Sequence, residues 1–150
     1  MSDTLPARRA NFSIDSDPAR LQMDVIHDYL ANRSYWAQGR PRELVEKSIR
    51  HSFNFGLYDG DRQVGFARVV TDYATFAWLC DVFVLEDYRG QGLAKWLVQT
   101  VVEHPDLSGL RRMLLVTRDA HELYRGYGGF RGIERPEALM QRVKAGNQPL

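Results

Sequence analysis

The stretch VFVLEDYRGQGLAKWLVQ, residues 82–99, constrains the fold more than any other part of the sequence. It begins with the apolar run of a buried strand, passes through a turn that contains Gly90 and Gly92, and continues with the apolar spacing of a helix. A strand, a tight turn and an amphipathic helix in this order predict an α/β domain in which the helix packs against a sheet.

The turn between this strand and helix has the chemistry of an anion site. The first N–H groups of a helix lack intrahelical partners and carry the positive end of the helix dipole, so a phosphate is stabilised there. Gly90 and Gly92 lack a Cβ, which lets a pyrophosphate approach the backbone closely. The alternative is a tight turn with no ligand. The phosphate-loop pattern G-x-x-x-x-G-K-S/T is absent, and G-x-G-x-x-G fails at Lys95.

The rest of the chain predicts strands and helices around this unit in a single domain at residues 11–150, preceded by a mobile tail at residues 1–10. Asp17 and Pro18 are expected to begin the first helix, and Asp119 with Glu122 resembles a capping box. The run at residues 74–85 is apolar enough for a strand buried on both faces. Strands are expected at residues 11–15, 53–58, 63–70, 74–85, 111–117 and 130–133, and helices at 18–32, 41–52, 93–102 and 120–126.

The amino-acid composition limits the classes of molecule that the protein is expected to bind. Twenty basic and 19 acidic residues give a net charge of +1, so no overall field favours nucleic acid or an acidic membrane. Cys80 is the single cysteine, and the four histidines lack metal-ligand spacing, so neither a disulfide framework nor a metal site is expected. With no signal-peptide or membrane-span pattern, the expected location is the cytoplasm.

Two motifs together resemble the GNAT superfamily of acetyl-CoA-dependent N-acetyltransferases. Residues 89–94, RGQGLA, satisfy its Q/R-x-x-G-x-G/A signature, and DAHELYRGYGGF at residues 119–130 resembles its later helix and strand entry. The likeness in element order extends from about Asn11 to Ile133. It implies an α+β sandwich with a mixed, largely antiparallel central sheet and helices on both faces.

The resemblance also implies where acetyl-CoA binds, in a wedge where the fourth and fifth predicted strands separate. Backbone groups of Phe83, Val84 and Leu85 are then expected to pair with the pantetheine arm. Lys95 either reaches a phosphate or is a solvated helix residue. The implied pyrophosphate site is the signature turn and the start of the helix: Arg89, Gly90, Gln91, Gly92, Leu93, Ala94 and Lys95.

Catalytic candidates follow from the resemblance and from one unusual residue. Tyr124 matches the family's general acid for the coenzyme sulfur, although an additional residue before Phe130 keeps Tyr127 as a substitute. The alternative for Tyr124 is ring packing against the sheet.

Asp81 is an acid within an apolar strand, where an unpaired carboxylate is costly to bury, so a specific role is expected for it. It is a base for the incoming ammonium, an ion-pair partner of Arg68, or a hydrogen-bond partner of the acceptor.

The loop NRSYWAQGRP, residues 32–41, is expected to frame the acceptor site. Tyr35 and Trp36 are candidates for an aromatic wall, and Arg33 or Arg40 for a carboxylate contact. Alternatively, Trp36 anchors the loop to the sheet. The predicted acceptor is a small-molecule amine, and a protein or peptide amine is the alternative. A noncatalytic acyl-CoA-binding module and a nucleotide-binding domain are rival functions, and a homodimer is possible.

Overall fold

The computed structural model describes residues 5–150, which form a six-stranded sheet in the order β1-β2-β3-β4-β5-β6. Neighbouring strands are antiparallel except β5 and β6, which are parallel. The sheet is therefore mixed and largely antiparallel. The strands are β1 Ala7–Arg9, β2 Phe12–Asp15, β3 Phe53–Asp59, β4 Arg62–Thr71, β5 Phe76–Val84 and β6 Arg112–Leu114.

Five α-helices accompany the sheet, and α1 and α3 both contact β4. Residues 54–58 in β3 and 63–67 in β4 are buried without interruption. Because successive side chains of a strand point to opposite faces, this pattern means that both faces of the sheet centre are covered. The fold is the predicted α+β sandwich. The helices are α1 Met23–Asn32, α2 Arg42–Arg50, α3 Leu93–Glu103, α4 Pro105–Ser108 and α5 His121–Gly128.

The first helix begins later than the sequence predicts. The Asp17 side chain accepts a hydrogen bond from the Ala19 N–H (2.9 Å), but it caps only a short 3-10 helix, Pro18–Arg20. Gln22 and the buried Gln63 each accept the other's backbone N–H through their side-chain oxygens, at 2.7 and 3.1 Å. This reciprocal pair fixes the chain against β4, and α1 starts after it at Met23.

Several predictions at the ends of the chain are wrong. Ala7–Arg9 form β1, an edge strand paired with β2, where a mobile tail was expected; residues 1–4 lie outside the described residues. Residues 130–133 form no strand. The capping box at α5 does not form, because Ala120 is the N-cap and its N–H donates to Thr117 Oγ1.

The strand β5 is buried on one face rather than on both. Its residues alternate between buried and half-buried positions as far as Val82, and Trp78, Cys80 and Val82 are the half-buried ones. The pairing with β4 shifts register between Phe66 and Arg68, and Asp81 at this irregularity has φ 53°. The open face and the bulge therefore coincide, which is typical of a strand that borders a site.

Candidate active site

The strands β5 and β6 separate soon after they meet. Among the described residues their pairing is confined to Phe76 with Arg112, Ala77 with Met113 and Trp78 with Leu114. β5 then continues to Val84, whereas β6 ends at Leu114. The edge of β5 beyond Trp78 consequently borders an opening, at the place where the sequence predicts the coenzyme wedge.

The glycine turn lies at the end of this edge and leads directly into α3. Gly90 and Gly92 have φ of 84° and 82°, values that L-residues with side chains rarely adopt, and no heavy atom lies within 4 Å of a Cβ built on either. Gly92 is the N-cap of α3 and offers no side-chain hydrogen bond. The first N–H groups of this 11-residue helix thus begin at an uncapped, sterically open turn, a geometry suited to an anion.

Side chains around the turn hold its backbone in place. Arg89 donates from Nε to the Val84 carbonyl (3.1 Å) and from Nη2 to the Tyr29 hydroxyl (2.6 Å). Gln91 donates from Nε2 to the Tyr88 carbonyl (3.1 Å). The Arg89 guanidinium therefore connects the turn to both β5 and α1. Lys95 places Nζ 5.0 Å from the centre of the Tyr127 ring.

The three residues predicted to pair with pantetheine differ in the direction of their backbone groups, because this direction alternates along a strand. The Leu85 N–H donates to the Val64 carbonyl (2.8 Å), so the backbone of Leu85 is directed at β4. Phe83, two residues earlier and opposite Phe66, has the same orientation, and Val84 has the opposite one. The Arg89 bond to the Val84 carbonyl is consistent with this. Of the three, Val84 directs its N–H toward the opening.

Tyr124 lies on α5 and is half-buried, with its ring edge-on to Phe130 at 5.9 Å. Burial raises the pKa of Tyr124 to about 12, and the neighbouring Tyr35 and Cys80 add to the increase. Within residues 5–150 its hydroxyl has no hydrogen-bond partner. The Tyr124 hydroxyl is therefore a protonated donor near the open face of β5.

Asp81 is the centre of a side-chain cluster at the bulge. Its side chain is 3% exposed and accepts hydrogen bonds from Trp36 Nε1 (2.8 Å), Arg68 Nε (2.8 Å) and Arg40 Nη1 (3.1 Å). The predicted ion pair with Arg68 is present. The bond from Trp36 shows that its indole anchors the loop at residues 32–41 to the sheet, as the alternative interpretation held. We call Trp36, Arg40, Arg68 and Asp81 the Asp81 cluster.

The remaining loop residues occupy different positions from one another. Arg33 forms ion pairs with Asp28 and Glu86, both at 2.8 Å, so a substrate carboxylate would have to displace one of them. The Tyr35 hydroxyl accepts the Arg118 N–H at 2.8 Å, and the Arg118 guanidinium lies 3.8 Å from the centre of the Tyr35 ring. The loop therefore reaches across the opening to the segment that follows β6.

Sequence reasoning missed Arg118, Tyr29 and the half-buried Cys80 as neighbours of this site. Burial raises the pKa of the Cys80 thiol to about 12. No local pattern marks these residues, because their contacts join distant segments. In the described part of the chain, no group of three or more His, Cys, Asp or Glu side chains is arranged to hold a metal ion. None of the helices there has the length and apolar character needed to cross a bilayer.

A sequence model described as the acetyltransferase (GNAT) family matches residues 23–129, which include α1, the glycine turn and α5. The chain belongs to the GNAT family of acetyltransferases. A Gibberella zeae protein named as a candidate acetyltransferase is 31% identical over 156 residues, covering 83% of this chain and 87% of the relative.

Solved GNAT structures agree with the fold of this GNAT chain. A crystal structure of a candidate GNAT acetyltransferase from Xanthomonas campestris is 45% identical and covers 93% of this chain and 97% of its own, with a TM-score of 0.86. A GNAT family acetyltransferase from Elizabethkingia anophelis, solved with acetyl-CoA bound, is 15% identical and covers 79% of this chain and 76% of its own, with a TM-score of 0.59. The latter similarity is one of fold.

Proposed function

We propose that this protein is an N-acetyltransferase that moves the acetyl group of acetyl-CoA directly to a primary amine of a small molecule. The observation that carries the proposal is the separation of β5 from β6 beyond Trp78, and three features of the nearby elements support it. These are the uncapped turn at Gly92, the outward N–H of Val84 and the protonated hydroxyl of Tyr124. Family membership and the fold of an acetyl-CoA-bound neighbour support the same coenzyme.

The turn supplies the pyrophosphate site. The N–H groups of Gly90, Gln91 and Gly92 and of the first turn of α3 are directed at the ligand, and the dipole of the helix favours its negative charge. Arg89 and Gln91 contribute by holding the backbone, whereas Lys95 stays over Tyr127. Val84 pairs with the pantetheine arm through its N–H.

The reaction needs a neutral amine, an oxyanion donor and a proton for the leaving sulfur. The amine nitrogen forms a bond to the thioester carbon, while an outward N–H of residues 82–84 stabilises the carbonyl oxygen. The carbon–sulfur bond then breaks, Tyr124 donates its proton to the thiolate, and solvent returns one to Tyr124. The attacking nitrogen loses its proton to water. Asp81 is bound by three donors, so we assign it a positioning role.

One contact supports a small-molecule acceptor. Tyr35 and Arg118 join across it, which suits a short amine better than an extended polypeptide. A protein amine stays the alternative acceptor, and a noncatalytic acyl-CoA sensor is the alternative function.

We place the reaction in the cytoplasm, because the free Cys80 suits a reducing compartment.

Acetyl-CoA turnover tests the proposal directly. Free CoA thiol is measured with a panel of primary amines, and acetyl-CoA affinity is measured by calorimetry in parallel. Tyr124→Phe should lower kcat about 10- to 100-fold with little change in acetyl-CoA affinity, because it removes the acid and leaves the turn intact. Tyr127→Phe, three residues along the same helix and more exposed, is the matched control. Binding of acetyl-CoA without turnover of any amine or peptide supports the sensor instead.

A further inference from the structure

The Asp81 cluster carries more positive than negative charge. Arg68 Nε and Arg40 Nη1 lie 2.8 and 3.1 Å from the same carboxylate oxygen of Asp81. Within residues 5–150, neither arginine has another acidic partner within 4.0 Å. Two guanidinium groups therefore share one carboxylate, and the cluster has a net charge of +1. A partly buried positive charge without a counterion is unfavourable, so an anion is stabilised beside it.

The two arginines differ in how many of their N–H donors already form hydrogen bonds. Arg68 uses Nε for Asp81 and Nη1 for the Ser52 hydroxyl (3.1 Å), and its side chain is 15% exposed. Arg40 uses Nη1 alone, and its side chain is 27% exposed. In the part of the chain that the structure describes, Arg40 Nε and Nη2 make no hydrogen bond. Arg40 thus has both the exposure and the free donors to bind a further anion.

The backbone of Arg40 is itself held in place. Its carbonyl contacts His27 Nε2 at 3.1 Å, which ties the end of the acceptor loop to α1. Trp36, in the same loop, is fixed by its bond to Asp81. The guanidinium is therefore presented by a constrained segment rather than by a free surface side chain, which reduces the entropy lost when it binds a ligand.

The cluster is close to the proposed reaction site. Asp81 precedes the Val82–Val84 edge by one to three residues, which corresponds to roughly 3 to 10 Å along a strand. Arg40 Nη1 lies 3.1 Å from the Asp81 carboxylate, so a small molecule bound to Arg40 can place its amine at this edge.

We propose that the acceptor is a small amino acid, and that Arg40 binds its carboxylate while the amine reaches the β5 edge. This inference rests on the proposed acetyltransferase function and names its substrate class. The residual charge of +1 matches a single carboxylate, whereas a phosphate ester carries about −1.5 to −2 at neutral pH. The planar Arg fork also fits the two oxygens of a carboxylate.

Matched acceptor pairs provide the test. Wild-type protein is assayed with α-, β- and γ-amino acids, with their amides, with the corresponding amines lacking the carboxylate, and with an aminoalkyl phosphate. We expect kcat/KM for at least one amino acid to exceed that for its amide by about 10- to 100-fold, the value of a hydrogen-bonded charge. Equal rates for acid and amide, or a preference for the phosphate, would overturn the inference while leaving the acetyltransferase function intact.

Variants of Arg40 assign the effect to this residue. Arg40→Gln should lower kcat/KM for amino acids about 10-fold or more beyond its effect on the corresponding neutral amines, because the carboxylate contact is the interaction that only the acids make. Arg40→Lys should restore part of the preference, and it replaces Arg40→Gln where thermal melting shows that the latter does not fold. Arg42→Gln, at an exposed arginine in α2 paired with Asp24, is the control. An equal loss for acids and neutral amines would show that Arg40 is structural and contradict the inference.

The failure of this inference and the failure of the proposed function are distinguishable. If no amine of any kind is acetylated although acetyl-CoA binds, the acetyltransferase function fails and the inference fails with it. If neutral amines are acetylated and amino acids are not, the function stands and the inference alone is wrong.

Discussion

The two ends of the opening are built in different ways. At the end that we propose for the coenzyme, the candidate site consists of backbone N–H groups from one contiguous segment, residues 90–95. At the acceptor end, side chains from distant segments converge. Arg68, Arg40 and Trp36 are 13, 41 and 45 residues from Asp81, and Tyr35 is 83 residues from Arg118.

Because of this difference, the two ends tolerate different substitutions. A backbone site depends on glycine conformations and on free space, so adding a side chain blocks it whatever the rest of the chain does. A side-chain site depends on charge balance among several segments, so changing one member affects stability as well as binding. In the function that we propose, the coenzyme end supplies the chemistry shared by the family, and the acceptor end determines which amine is acetylated.

The largest expected effect is at the coenzyme end. Gly92→Asp adds a negative side chain at the N-cap of α3, where φ is 82°. Repulsion of the pyrophosphate should weaken acetyl-CoA binding by more than about 100-fold, or ~2.7 kcal/mol, in calorimetry. The left-handed φ costs an aspartate about 1 to 2 kcal/mol, but its charge favours the helix N-terminus, so the protein should remain folded.

A matched control for this variant is Gly146→Asp. Gly146 also has a positive φ, 89°, and it has the same open space around a built Cβ. Its variant should bind acetyl-CoA like the wild type. If Gly92→Asp also binds normally while melting shows a folded protein, the turn is not the pyrophosphate site.

The next effect is at Asp81 and concerns stability. Asp81→Asn leaves two arginines without their shared countercharge, so the free energy of unfolding should fall by about 2 to 3 kcal/mol in urea denaturation. Acetyl-CoA affinity should stay within about twofold, because the turn is untouched. Asp28→Asn, at an exposed ion pair, should cost less than about 0.5 kcal/mol. A variant that melts normally but loses more than about 100-fold in kcat would identify Asp81 as the base instead.

Tyr124, which lies between the two ends, should make the free energy of unfolding depend on pH. Its pKa in the folded protein is raised to about 12, whereas an unfolded tyrosine ionises near pH 10. Between these values the unfolded chain binds fewer protons than the native one, so stability falls as pH rises. At pH 11 the Tyr124 contribution to this loss is about 1 kcal/mol. Tyr124→Phe should reduce the difference in unfolding free energy between pH 9 and pH 11 by this amount, and an unchanged difference would mean that the hydroxyl is not buried.

The smallest effect is at Tyr35. Tyr35→Phe removes the acceptor of the Arg118 N–H but keeps the ring against the guanidinium and against Trp36. The KM of the amine should rise about two- to fourfold, the value of one neutral hydrogen bond at an exposed position, with acetyl-CoA affinity unchanged. An equal rise in the dissociation constant of acetyl-CoA would assign this loop to the coenzyme end.

The two ends also differ in how well the sequence predicts them. The glycine turn and α3 were predicted because their geometry is encoded locally, in two glycines followed by helical spacing. Asp81 stood out as a lone acid in an apolar run, and its partner Arg68 was named because the two strands are adjacent in sequence. Anchoring of the loop by Trp36 was predicted, but the bonds that Trp36 and Arg40 both donate to Asp81 were not, since they depend on how a loop more than 40 residues away folds back.

The errors in the fold have a similar cause. β1 contains Arg8 and Arg9, whose charges give no apolar alternation, and it forms because its backbone pairs with β2. Residues 130–133 have the composition of a strand but pair with none of the described strands. Pairing between strands is a property of the whole chain, and a local window does not contain it.

The shared carboxylate of Asp81 has a consequence for how such a protein diverges. If Arg40 binds the acceptor as we propose, Asp81 links substrate preference to folding stability, because it anchors Trp36 and neutralises part of the charge of two arginines. A descendant that loses the arginine at position 40 keeps a single arginine for Asp81 and gains a neutral acceptor pocket without losing the anchor. A descendant that loses the acid first passes through a destabilised form. Drift toward new acceptors is therefore expected to begin at position 40 and to reach position 81 only afterwards.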